Sequence, residues 1–185
     1  LDTTISGVKV QYEDNMATQS VTLSGSVAGV ALSHEIFESK TDTSVSGSFG
    51  GVNATYRSIN DDVDNKDATS LEVSTEMQGV TVTYAAIDAN EGTTDATGVT
   101  SDAFFGEVKT GAEIKEADGF GIATNMAGNT VSLKSYTTMS TGNVEQDWTK
   151  LVVTRPLANG ATVEATYTDK NSVSTSMDLE LRVAF

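Results

Sequence analysis

Charged side chains of both signs recur at every second position of several extended stretches. The bases are Lys9, Arg57, Lys134, Lys150 and Arg182, and the acids are Glu13, Glu72, Glu76, Glu164, Asp178 and Glu180. Alternation at that period gathers them on one face of a strand. If that face touched lipid, each central Arg or Lys would cost about 2–4 kcal/mol, so it has to be wetted. The plainer reading of each residue is a solvated face on which the charges pair or stay hydrated.

Bond-making chemistry finds little footing. His34 is the sole histidine, so a Ser-His centre would have to use it, and no G-x-S-x-G elbow occurs. Carboxylates abound, but no pair is placed at a catalytic separation, and no enzymatic activity is expected. Asp61, Asp62, Asp64 and Asp67 offer oxygen ligands for Ca²⁺. The run lacks the Gly and distal Glu of an EF-hand loop, so it reads more simply as solvated charge, and no cofactor is expected. Trp148 and the tyrosines suit either sugar stacking or anchoring at a membrane interface. Against 26 acidic residues stand 11 basic ones, scattered singly, and the formal charge is −15. Phosphate contacts need clustered Lys and Arg, so nucleic acid is not an expected partner.

The elements that would position these charges are strands. Val8, Val10 and Tyr12 alternate with Lys9, Gln11 and Glu13; Val21, Leu23, Gly25 and Val27 come next, and then Val30, Leu32 and Ile36. His34 falls in phase with the last three, which leaves that strand's facing open. Val45, Gly47 and Phe49 run into Gly50-Gly51, and Val52, Ala54 and Tyr56 return, a hairpin signature. Leu71, Val73 and Met77 pair in the same way with Val80, Val82 and Tyr84 around Gly79. Phe120 and Ile122 precede Val131 and Leu133 around Gly128, and Leu151 and Val153 precede Val163 and Tyr167 around Gly160. About twelve strands are expected, mostly of about 9–12 residues, the length that a tilted membrane strand needs. Every second connection is a tight Gly-containing turn, and the connections between are polar and variable. The two ends of the sheet therefore differ. No apolar run reaches the roughly 18 residues of a membrane-spanning helix. Absence of Cys fits an envelope protein without disulfides and many others besides. Residue 1 is Leu, with no initiating Met before it; a processed chain and a fragment of a longer one both stay open.

The final stretch alternates strictly, with Met177, Leu179, Leu181, Val183 and Phe185 against Asp178, Glu180, Arg182 and Ala184. An apolar last strand ending in Phe resembles that of bacterial outer-membrane β-barrels. The hairpin Leu151 to Tyr167, turning through Leu157-Ala158-Asn159-Gly160, resembles the penultimate hairpin of the general porins of Gram-negative bacteria. Those proteins usually have about sixteen strands and clear aromatic girdles, whereas this chain shows fewer strands and 6% aromatics. The resemblance thus implies either the carboxy-terminal part of such a porin or a smaller relative.

The fold implied by this resemblance is all-β, with one antiparallel transmembrane β-barrel domain over residues 1–185. Val8, Val10, Val73, Val82, Leu133, Val163, Leu179 and Leu181 would face outer-membrane lipid, and the first strand would pair with the last or with further strands. The resemblance implies passive diffusion of small hydrophilic solutes through a water-filled channel. It also implies a homotrimer, with the weakly apolar outward positions Thr43, Gly47 and Thr75 as candidate subunit contacts. The long connection between Ala89 and Asp118 is the one that could fold into the pore, with Ser101 or Asp102 capping a short helix around Phe104, Phe105 and Val108. Its acids Glu107, Glu113 and Glu116 would oppose the basic strands across a constriction; an exposed loop or an extra strand pair is the alternative. The rival architecture is a secreted or cell-surface soluble β-sandwich or solenoid with an adhesive or structural role, its apolar faces turned inward.

Overall fold

A computed structural model describes residues 2–5, 7–14, 19–61, 66–90, 102–105, 114–171 and 174–183. They form one antiparallel sheet in which every strand pairs with its neighbours in sequence. The strands are β1 (Asp2–Ile5), β2 (Val8–Asp14), β3 (Gln19–Val27), β4 (Val30–Phe37), β5 (Lys40–Phe49), β6 (Val52–Asp61) and β7 (Lys66–Met77). They continue as β8 (Val80–Ala89), β9 (Ile114–Met126), β10 (Asn129–Ser140), β11 (Glu145–Pro156), β12 (Thr162–Lys170) and β13 (Ser174–Arg182). A four-residue helix, α1 (Asp102–Phe105), lies in the connection from β8 to β9. Among the described residues no helix is long and apolar enough to cross a membrane, which says nothing of strands.

The described residues form 13 strands rather than twelve. The stretch expected as a single first strand folds back on itself, because Gly7 takes a left-handed backbone (φ 85°) and Ile5 comes to face Val8. No ladder joins β1 to β13 among the described residues: β1 pairs with β2 alone and β13 with β12 alone.

The two ends of the sheet are chemically distinct. One rim carries the turns Ala28-Gly29, Gly50-Gly51, Gln78-Gly79 and Ala127-Gly128, each with positive φ at both central residues. That signature belongs to type I′ turns, whose twist matches the strands they join. Gly7 and Gly160, both left-handed, sit at the same rim. At the opposite rim β2, β4, β6, β8, β10 and β12 end, and the described connections there are 38–39 and 141–144, while by strand bounds the other intervals run from three residues to 24. The asymmetry read from the sequence is therefore present, although the 38–39 turn is as tight as those opposite.

Pairing fixes the faces. The rung Val82, Ile122, Leu133, Leu151, Tyr167 and Met177 crosses six strands. A second runs Leu32, Val45, Tyr56 and Leu71. This outer face is bare: Phe49 is 90% exposed, Met177 80% and Leu179 77%. The eight positions expected to face outward all lie on it, none of them buried. Burial is confined to the other face, where Ala85, Ile87, Ala117, Tyr136 and Thr138 lie. A soluble sandwich would show the reverse, with the apolar rungs packed and dry.

Candidate functional site

The inner face is the one on which α1 lies. Phe104 and Phe105 are buried there, Phe105 only 2% exposed, in a cluster with Ala85, Ile87, Ile114, Ala117 and Tyr136, with half-buried Trp148 against it. The rings meet edge to face: Phe104 on Phe105 at 4.8 Å between centroids, and Phe105 on Tyr136 at 5.6 Å. Tyr136 stacks on its cross-strand partner Trp148 at 5.9 Å and 12°. Lys170, next across the sheet, stands 4.5 Å over the indole. Trp148 also donates from Nε1 to Thr138 Oγ1 at 3.2 Å. Trp148 and Tyr136 are thus inner-face residues, unlike the interfacial anchors that the sequence allowed, whereas Tyr12, Tyr56, Tyr84 and Tyr167 share the outer face.

The wall is shaped to receive this cluster. The glycines of β9 open the space: a Cβ on Gly119 would lie 2.3 Å from Cβ of Tyr136, and one on Gly121 2.9 Å from Cε2 of Phe104. Lys134 Nζ donates to the Phe104 carbonyl at 3.2 Å and stands 5.2 Å from the centroid of the same ring. Beside them a recess of about 130 Å³ is lined by Glu72, Thr83, Phe104, Ser132 and Lys134. An acid, a base and two hydroxyls thus flank the docked helix.

Sheet polarity inverts along β8 and β9. Toward the turn rim the outer face is apolar and the inner polar. Toward the loop rim Asp88, Glu116 and Asp118 are exposed on the outer face, while Ile87, Ala89, Ala117 and Ile114 are buried inside. The sequence reads as loop up to Asp118, yet β9 starts at Ile114. Its outward acids and small inward residues give no apolar signal, although Gly119 and Gly121 alternating within a strand mark a close approach. Glu116, expected in the inserted loop, is an outer-face strand residue opposite Asp88.

Lys9, Arg57, Glu72, Glu76, Lys134, Lys150, Glu164, Asp178, Glu180 and Arg182 all fall on the inner face. They are spread over it rather than gathered. Lys134 and Lys150 face each other across β10 and β11. Glu164 faces Glu180, and Arg182 reaches both, at 3.7 Å and 2.9 Å. Arg57 holds Asp42 through two hydrogen bonds, Nε to Oδ1 at 2.9 Å and Nη2 to Oδ2; nothing in the sequence singles out Asp42. Glu107 and Glu113 lie outside the described residues. Asp61 and Asp67 project to opposite faces, so this pair does not converge on one cation; Asp62 and Asp64 lie outside the described residues. His34 is settled on the outer face, its Nδ1 2.8 Å from Oγ1 of its cross-strand partner Thr43.

No family model matches this chain, and no curated protein does. Among solved structures a porin does, with a TM-score of 0.61 and 12% identity, over 91% of this chain. The chain spans 62% of that porin's length. An antiparallel all-β sheet with a porin-like course is therefore the fold of this protein.

Proposed function

We propose that the chain is an outer-membrane porin wall, curled around a water-filled lumen through which small hydrophilic solutes diffuse without being turned over. The inverted distribution of burial carries this reading. Apolar side chains cross strand after strand on a bare outer face, whose charges lie toward the rims, and the mid-strand charges share the inner face with α1. Exposed apolar surface on this scale marks contact with lipid or a partner, and a charged inner face suits water. In lipid every backbone N–H and C=O must be paired, so the outer edges of β1 and β13 are paired in the membrane, with each other or with further strands.

The docked helix gives the lumen a constriction. Phe104 and Phe105 bring bulk onto the wall between Glu72 and the facing lysines Lys134 and Lys150, where solutes would meet both charge signs. The Gram-negative outer membrane is the location this implies. A homotrimer is the assembly, with Thr43, Gly47 and Thr75 on the subunit contact; nearby the outer face holds a hollow of about 490 Å³ floored by Gly25 and walled by Val8, Leu23, Val30, Leu32 and Val45. Light scattering in detergent giving a monomer at all protein concentrations would remove the trimer.

The whole reading is tested by extracting the protein from membranes and reconstituting it. It should require detergent, give discrete conductance steps in planar bilayers and carry small saccharides into liposomes. A protein soluble without detergent, or one that inserts folded and passes neither ions nor saccharides, overturns it.

A further inference from the structure

We infer that Gly121 is a positioning residue that fixes how far α1 stands into the lumen; this rests on the channel reading above. On the inner face of β9, Gly119 and Gly121 are successive positions without a side chain, and different atoms occupy the space beside each. At Gly119 an added Cβ would also meet the Ser135 carbonyl at 2.5 Å and Cα of Tyr136 at 2.6 Å, atoms of the paired backbone. That glycine is a requirement of the β9–β10 pairing itself.

Gly121 is different. The nearest obstacle to a side chain is the far edge of the Phe104 ring at 2.9 Å, followed by Cγ of Lys134 at 3.5 Å, and no backbone atom is among the nearest three. Added bulk therefore leaves the wall intact and pushes the ring off it. Phe104 is tied to Lys134 by its own carbonyl and ring and to Phe105 by contact, so displacement of the ring displaces α1. Gly121 acts through Phe104.

Trp148 is the sole tryptophan and packs against the same cluster, so its fluorescence reports the seat independently of any flux. The experiment compares wild type, Gly121→Ala, Gly121→Leu, Phe104→Ala and the double variant Gly121→Leu/Phe104→Ala in detergent and in planar bilayers. Each is first shown folded by its far-UV dichroism and by migration with and without boiling. Gly121→Leu should shift Trp148 emission to the red, open it to acrylamide, lower the unitary conductance and steepen the loss of flux with saccharide size. Gly121→Ala should move each readout less and in the same direction. The double variant should return all of them toward wild type, since the cavity left by the ring accepts the leucine. Folded Gly121→Leu with unchanged Trp148 emission overturns the seat. A Trp148 shift with unchanged conductance overturns its control of the channel, and so does a defect that Phe104→Ala does not relieve. A wild-type protein that fails to conduct defeats the channel reading and the width-setting role with it, while the Trp148 response still judges the seat.

Discussion

Lys134 holds Phe104 twice, through a hydrogen bond from Nζ to the carbonyl oxygen at 3.2 Å and through the ring face at 5.2 Å. Both contacts come from one cation on β10, in a half-buried setting where water competes less. A charge-assisted hydrogen bond with a cation–π contact is worth about 1–3 kcal/mol together. Lys134→Met should weaken docking of α1 by about that amount. Amide exchange at Phe104 and Phe105 is the measurement, with faster exchange in the variant and near-native protection in Lys134→Arg. Unchanged exchange would show that the aromatic cluster alone holds the helix.

The Arg57–Asp42 pair spans β5 and β6 on the inner face, its side chains 32% and 22% exposed. Two forked hydrogen bonds give it a fixed geometry that a lysine cannot copy. Arg57→Ala strands a partly buried carboxylate and should cost about 1–3 kcal/mol in urea unfolding from detergent. Replacing both residues, Arg57→Ala with Asp42→Ala, should cost less than the single change, because no charge is left behind. Equal losses would mean that the pair is too well hydrated to matter.

Outer and inner positions alternate, so neighbouring residues give opposite answers to one substitution. Leu133 lies on the bare apolar face and Ser132 lines the recess inside. Leu133→Arg should lower folding stability in lipid vesicles by about 2–4 kcal/mol if the position is near the bilayer centre. Ser132→Arg should cost far less, since its side chain reaches water. Equal penalties would contradict the assignment of faces.

The strands are legible in the sequence because period-two alternation survives wherever one face is apolar and the other polar, as in Met177 to Val183. It fails at both places where that contrast breaks. Gly7 reverses the chain inside a run whose alternation continues on either side of it, and only its φ of 85° shows the turn. Ile114 to Gly119 carries acids outside and small residues inside, so its strand character is invisible to a pattern of alternation. Phe104 and Phe105 can be read as a short buried helix, but not what buries them: Gly119, Tyr136 and Trp148 come from β9, β10 and β11 and meet only through sheet register. Asp42 escapes notice for the same reason, since nothing in the local sequence announces Arg57 as its partner.

At the turn rim Ala127 adopts φ 51° and Gly128 φ 76°. Alanine carries a Cβ penalty in the left-handed region that asparagine partly escapes through its short polar side chain. Ala127→Asn should therefore stabilise the β9–β10 hairpin by roughly 0.5–1 kcal/mol, and Gly128→Ala should destabilise it by about 1–2 kcal/mol. Equilibrium unfolding of the two variants against wild type decides. If both substitutions are neutral, the turn does not hold this geometry in solution.

Charge reversal on the inner wall tests the lumen directly. A unit charge about 8 Å from an ion's path through water contributes roughly 0.5 kcal/mol, so reversing one base changes the ion's energy by about 1 kcal/mol before screening. At about 10 mM salt, where the Debye length is about 30 Å, about 0.8 kcal/mol survives, favourable for a cation and unfavourable for an anion, so Lys150→Glu or Arg57→Glu should raise the cation-to-anion permeability ratio roughly fifteenfold. At about 1 M the Debye length is about 3 Å and the shift should nearly vanish. Arg155 provides the contrast, because it is exposed at the turn rim on the outer face, opposite Val163. Arg155→Glu should leave the ratio near that of wild type. Reversal potentials in asymmetric KCl give these ratios. Equal shifts from Arg155→Glu and Lys150→Glu, or a Lys150→Glu shift that survives at about 1 M, would mean that ions do not pass along the inner face.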